Sequence, residues 1–241
     1  GRSARSRTTD LLPSLNLTYM YDEWTNVRFA YFGSVNYPDL RELAAVNSVD
    51  LVEDYQVRGN PDLRRARIAN YDLRLERFPT YGEVMAVSFF YKDMRDAIES
   101  KLIYSSAYVD RFEFFNSDGE NYGYELELRK KLGFLGTAFS DITLQANFTR
   151  VWSTVEFPVL ENPESGSESV DTVLGTRQVQ GQSPYVVNVS LQWEDVNLGT
   201  TVNVLFNKLG RRLDSLKAVA EDNIYEEPRN LLDAAVTQEV W

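Results

Sequence analysis

The chain of 241 residues holds 14 Tyr, 13 Phe and 4 Trp but no Cys and no His, which excludes disulfides, thiolate and imidazole metal sites, and catalytic triads built on histidine. A net charge of -11 and a pI near 4.6 argue against nucleic acid, whose phosphates require a basic surface. Mean hydropathy is -0.37 despite the aromatic content, so apolar and polar residues are interleaved, as in strands with two unlike faces.

No apolar run approaches the ~18 residues of a transmembrane helix, and the opening GRSARSRTTD lacks the apolar core of a signal peptide. A membrane-crossing strand needs only about 9–11 alternating residues. Alternation of that length occurs in about nine segments. In LPSLNLTYMY, Leu15, Leu17, Tyr19 and Tyr21 oppose Ser14, Asn16 and Thr18. NYDLRLERF sets Tyr71, Leu73 and Leu75 against Asp72, Arg74 and Glu76, and YELELRKKL sets Tyr124, Leu126 and Leu128 against Glu125, Glu127 and Arg129. ITLQANFTR places Ile142, Leu144, Ala146 and Phe148 opposite Thr143, Gln145, Asn147 and Thr149. YVVNVSLQW repeats the pattern, with Tyr185, Val187, Val189, Leu191 and Trp193 opposite Asn188, Ser190 and Gln192, and Val202 and Val204 flank Asn203.

Two architectures fit such strands: a soluble sandwich with its apolar face inward, or a barrel with its apolar face toward lipid. Connection lengths favour the barrel. DEWTN at 22–26, FPTYGE at 78–83 and EDVNLG at 194–199 are tight turns, whereas 37–66, 99–119, 158–183 and 210–227 are long and acidic. Strict alternation of short and long places all tight turns at one end of an up-and-down sheet, the layout of outer-membrane barrels. Tyr21, Trp24, Phe78, Tyr81 and Trp193 fall near the tight-turn ends and Tyr37, Tyr91 and Phe157 near the long-loop ends, as two interfacial girdles require. The stretch 161–171, ENPESGSESVD, fits the most mobile of the long loops.

Several segments, in order, resemble the second half of TonB-dependent outer-membrane receptors. They are residues 11–43, 58–99, NYGYELELRKKLGFLG at 121–136, QGQSPYVVNVSLQW at 180–193, FNKLGRRL at 206–213 and YEEPRNLLDAAVTQEV at 225–240. The resemblance implies an all-β, antiparallel up-and-down transmembrane barrel segment, about nine strands of a barrel of about 22 that encloses a plug. It further implies energised uptake, without covalent chemistry or cofactor, of a scarce nutrient such as a ferric siderophore, cobalamin or an oligosaccharide. The implied partners are outer-membrane lipid, that ligand, and the TonB-ExbB-ExbD complex acting through the plug. Nothing in the chain resembles the plug or the segment that meets TonB, and the family's closing hairpin has no counterpart before Trp241. Residues 1–241 are therefore expected to be a partial barrel domain, roughly the twelfth to twentieth strands by that comparison, with unpaired edges. The competing expectation is a soluble all-β ligand-binding module.

Arg64, Arg65 and Arg67 follow NPDL at 60–63, where a long loop re-enters a strand. They are either a structural junction paired with acids such as Asp62 and Glu76, or a clamp for an anionic ligand. Glu125 and Glu127, two apart on one face, suit a wet lumen better than acid/base catalysis, and Arg129, Lys130 and Lys131 suit a basic cluster at the membrane surface. Glu53, Asp54, Asp118, Glu120, Glu161, Glu164, Glu168 and Asp171 give the long loops their acidity without the spacing of a calcium loop.

Overall fold

The computed structural model describes residues 9–45, 47–50, 55–103, 111–160, 172–215 and 223–240. The acids at 53, 54, 161, 164, 168 and 171, the side chain of Phe157 and Trp241 lie outside what is described. In chain order the strands are β1 (Ser14–Met20), β2 (Thr25–Asn36), β3 (Asn47–Asp50), β4 (Tyr55–Arg58), β5 (Ala66–Arg77), β6 (Val84–Ile103) and β7 (Arg111–Lys131). They continue as β8 (Ile142–Leu160), β9 (Thr172–Arg177), β10 (Tyr185–Asp195), β11 (Thr200–Leu209), β12 (Arg212–Ser215), β13 (Ile224–Glu226) and β14 (Arg229–Gln238). One four-residue helix, α1 (Leu40–Leu43), interrupts them.

Nine strands form a wall in the order β1-β2-β5-β6-β7-β8-β10-β11-β14, every neighbouring pair antiparallel. No crossover occurs among them, so up-and-down order holds and the connections sort to two ends. Tight turns are held locally. Asp22 Oδ1 accepts the Trp24 N–H at 2.8 Å, and Asp195 Oδ1 accepts those of Asn197 and Leu198 at 2.9 and 3.0 Å. Gly199 closes the latter turn at φ 60, a conformation that a side chain disfavours.

The register converts sequence alternation into two continuous faces, because residues paired across a ladder project to the same side. Tyr19, Val27, Leu75, Val87, Leu126, Phe148 and Val187 follow one another across seven strands. One residue along, Asn26, Glu76, Ala86, Glu127, Asn147, Asn188 and Asn207 run across the opposite face. Leu144 pairs with Leu191 and Leu191 with Val204, while Asn203 pairs with Gln192 on the polar side, as the alternation requires. Nothing among the described residues covers the apolar face: Leu17 is 54% exposed, Leu73 46% and Phe89 53%. A sandwich would bury that face under a second sheet.

Arg67, Asp93, Glu120, Arg150 and Lys208 border the apolar face toward the long loops, and Arg77 and Lys130 border it toward the tight turns. Along this border Tyr31, Tyr71, Tyr91, Tyr122 and Trp152 form one cross-strand row, below the charged residues on β5, β6 and β7 toward the long loops and just past Arg150 on β8, with ring centroids 5.1 Å apart for Tyr31–Tyr71 and 5.8 Å for Tyr122–Trp152. Of these the girdle expectation contained Tyr91 alone. At the other end Tyr21, Trp24 and Tyr81 are exposed, as expected of a girdle there.

Two connections differ from expectation. Residues 99–119 are largely strand, because β6 and β7 continue past the apolar belt and still pair at Ala97↔Ser117 and Ile103↔Arg111. Beyond lipid both faces of a strand are wet or covered by loops, so the alternating signal fades while the backbone ladder persists. The connection at 132–141 lies at the tight-turn end and folds into two 3-10 turns, Leu132–Leu135 and Thr137–Phe139. Its composition, LGFLGTAFSD, is too apolar to read as a loop.

Among the described residues compact packing is concentrated at the long-loop end. There β4 adds in parallel to β7, β9 pairs with β8, and β12 pairs with β13. Val57, Leu63, Met94, Leu102, Val155 and Leu213 are buried in this lobe. The wall itself has no such core, as expected when lipid replaces one half of it.

Candidate functional site

On the polar face, strand register brings together charges distant in sequence. The buried Glu76 carboxylate accepts from Arg28 Nε at 2.6 Å, Arg74 Nε at 2.9 Å and Asn26 Nδ2 at 3.3 Å. Arg74 continues the network through Nη2 to Glu127 at 2.6 Å and Nη1 to Ser88 Oγ at 3.2 Å. Four strands, β2, β5, β6 and β7, are thereby tied by one hydrogen-bonded charge cluster on the face away from the apolar belt. The adjoining surface of β8, β10 and β11 is amide-rich, with Asn207 Nδ2 donating to Asn188 Oδ1 at 2.6 Å. Glu127 is thus an ion-pair partner within a polar lining.

At the long-loop end a second cluster joins the extended hairpin to β9. Arg177 Nη2 donates to Glu99 Oε2 at 2.7 Å, with both side chains more than nine-tenths buried. Burial pushes the Glu99 carboxyl above its ordinary range, more than the Arg177 guanidinium pulls it down. Around this pair Ser100 Oγ meets Gln180 Oε1 at 3.2 Å and Asn121 Nδ2 donates to Gln182 Oε1 at 3.0 Å. At the tight-turn end Lys130 Nζ donates to Glu83 Oε2 at 2.7 Å and holds the Glu83 carboxyl below its ordinary range. Asp22 is likewise lowered, chiefly by the Trp24 N–H.

The three candidate arginines are placed apart. Arg64 Nη2 lies 2.5 Å from Asp96 Oδ1, and Arg65 Nη2 lies 2.7 Å from Asp10 Oδ1. The expected partners Asp62 and Glu76 are not used: Asp62 takes part in an Asx turn from Asn60 Oδ1, and Glu76 is committed to Arg28 and Arg74. Arg67 has no ion pair among the described residues and projects from the apolar face beside Arg95 of β6. Asn116 completes the junction: its Oδ1 accepts the Arg64 N–H at 2.7 Å and its Nδ2 donates to the Arg64 and Asp96 carbonyls, each at 2.8 Å. Sequence reasoning missed Asp96, Asn116, Glu99 and Arg177, whose roles exist only through pairing between distant strands. Among the described residues no group of three or more carboxylates is placed to hold a metal ion.

A nine-strand meander with an uncovered apolar face, bordered by charge and backed by a hydrogen-bonded polar face, is the wall of a transmembrane β-barrel. The chain belongs to the TonB dependent receptor-like, beta-barrel family, whose model matches residues 1–238. Members of this family are outer-membrane receptors and transporters of Gram-negative bacteria, not enzymes. The chain is similar to a ferric enterobactin receptor (PfeA) mutant from Pseudomonas aeruginosa, with 18% identity, TM-score 0.61, and coverage of 95% of this chain and 33% of that one. For the siderophore receptor PirA from Acinetobacter baumannii the values are 15%, 0.58, 94% and 34%, and for the copper transporter OprC 12%, 0.65, 95% and 31%. The chain thus spans about a third of the length of these structures. No curated protein matches it.

Proposed function

We propose that this chain is part of the barrel wall of an outer-membrane receptor that takes up a small-molecule nutrient by energy coupled through TonB. The observation that carries the reading is the pairing of an unbroken apolar face with a polar face on which four strands are joined through the Arg28–Glu76–Arg74–Glu127 cluster. Such a face stays wet and rigid without a hydrophobic partner, which is what a lumen requires.

A ferric siderophore is the favoured nutrient class, supported by the ligands named for the enterobactin and PirA receptors of similar fold. Cobalamin and oligosaccharides are the alternatives, read by parallel uptake assays with radiolabelled cobalamin and a radiolabelled oligosaccharide. The complete receptor is expressed in a strain lacking its own ferric-siderophore receptors, and uptake of radiolabelled iron as ferric enterobactin is measured with and without TonB. Uptake that disappears on loss of TonB is expected. Uptake indifferent to TonB, or a receptor recovered in the aqueous fraction, overturns the reading.

A further inference from the structure

Arg67 and Arg95 stand directly opposite one another on β5 and β6, on the apolar face, at its border with the long-loop end. Like charges at directly opposed positions destabilise a sheet unless a counter-charge joins them. The described residues supply little. Arg67 has no ion pair, and Arg95 Nε lies 3.7 Å from Asp93 Oδ2 with the Arg95 side chain 74% exposed. Asp10, the other nearby acid, is engaged by Arg65 and by the Tyr37 hydroxyl.

These arginines overhang a cleft that also takes in Pro13, Tyr31, Val35, Ala69 and Tyr71. Its floor is therefore continuous with the aromatic row and the apolar belt beneath. The backbone beside Arg95 is specialised as well. A bulge falls between Met94 and Ala97, and Asp96 adopts φ 56, the one described non-glycine residue at positive φ. The Asp96 N–H donates to Asp118 Oδ1 at 2.8 Å while its carboxylate holds Arg64. Bulges of this kind re-aim a neighbouring side chain, and Arg64, Asn116 and Asp118 brace this one beside Arg95.

From this arrangement we infer that Arg67 and Arg95 form a binding site for the phosphorylated headgroup of an anionic lipid in the leaflet at the long-loop end. Two guanidinium forks match phosphate oxygens bidentately, and the cleft below accepts the start of an acyl chain. A free phosphate would satisfy the forks but not the apolar floor. The inference rests on the proposed lipid contact of the apolar face.

The test reconstitutes the complete receptor in nanodiscs of phosphatidylcholine containing phosphatidic acid, then counts retained lipids by native mass spectrometry after release into detergent. Retention of phosphatidic acid over phosphatidylcholine is expected, falling about tenfold in R67Q/R95Q and less in R67K/R95K, which keeps the charges without the forks. R77Q, which removes a cation from the opposite border of the same face, is expected to retain phosphatidic acid like the wild type, as is the wild type in excess inorganic phosphate. Equal retention by R67Q/R95Q and wild type in correctly inserted receptor overturns the site. Displacement by inorganic phosphate overturns the commitment to lipid. Failure of the wild-type receptor to insert into the nanodisc overturns the membrane reading itself, and the site with it.

Discussion

Arginine introduced at Leu73 tests the lipid-facing assignment by depth. Leu73 lies four residues from Arg77 on the same face of β5, about 13 Å along the strand at about 3.3 Å per residue. At a tilt near 40° this is about 10 Å of height, close to the middle of a band about 25 Å tall. The cost expected for Leu73→Arg is therefore about 2–4 kcal/mol. Leu75→Arg, two residues from Arg77, should cost about 0–1 kcal/mol because the new guanidinium reaches the interface. Asn147→Arg, on the polar face, should stay within about 0.5 kcal/mol. Guanidinium titration of the complete receptor folded into lipid vesicles, followed by Trp fluorescence, reads all three. A buried protein core would make Leu73→Arg and Leu75→Arg comparably costly, as both are 46% exposed here. Equal costs, or an Asn147→Arg cost matching that of Leu73→Arg, would refute the reasoning.

Arg177→Met strands a buried carboxylate and should cost about 3–5 kcal/mol, with much of the loss recovered in Glu99→Gln/Arg177→Met; amide exchange along residues 97–102 checks it. Because the Glu99 pKa is raised in the fold, its contribution to stability should fall as pH rises from the ordinary carboxylate range through the folded value, a dependence that Glu99→Gln removes. The lowered Glu83 has the opposite sign: its contribution is present above the ordinary carboxylate range and is lost as pH falls through the folded value. Exchange of the Lys131 amide, which donates to Glu83 Oε1 at 3.2 Å, should accelerate accordingly. In Gly123→Ala the new methyl group would press on the Arg150 carbonyl oxygen and sit 2.6 Å from the Phe90 ring. A loss of about 1–3 kcal/mol is expected, visible as a smaller heat-modifiable fraction in outer membranes; an unchanged fraction counts against the close Phe90–Gly123 packing.

The wall was legible because lipid on one side and water on the other impose the same period of two that a strand's geometry produces. Leu144, Phe148, Val187 and Leu191 share a face in the structure because each sits an even number of residues from the next along its strand and the register joins the rows. That signal vanished where the environment stopped being two-sided, so the strand residues at 99–103 and 111–119 passed for loop. The site was less legible for a different reason. Arg64 and Arg65 stood out as a run, but their partners Asp96 and Asp10 come from elements joined by folding, as does the opposition of Arg67 and Arg95. The aromatic row was hidden in the same way: Tyr31, Tyr71, Tyr91, Tyr122 and Trp152 are scattered in sequence and adjacent only through the ladder.

The paired extension of β6 and β7 acts as a mast. β6 has 20 residues, about 66 Å at about 3.3 Å per residue, and crossing a ~25 Å band at ~40° uses about half of that. The remainder stands clear of the lipid, braced by β4 alongside and by the Glu99–Arg177 clasp. On the receptor reading proposed above, a ligand meeting this surface would encounter backbone already ordered, and binding would forgo the entropy loss that a floppy loop would suffer. Bending the mast would break ladder hydrogen bonds one after another, so the paired hairpin is expected to behave as a rigid post.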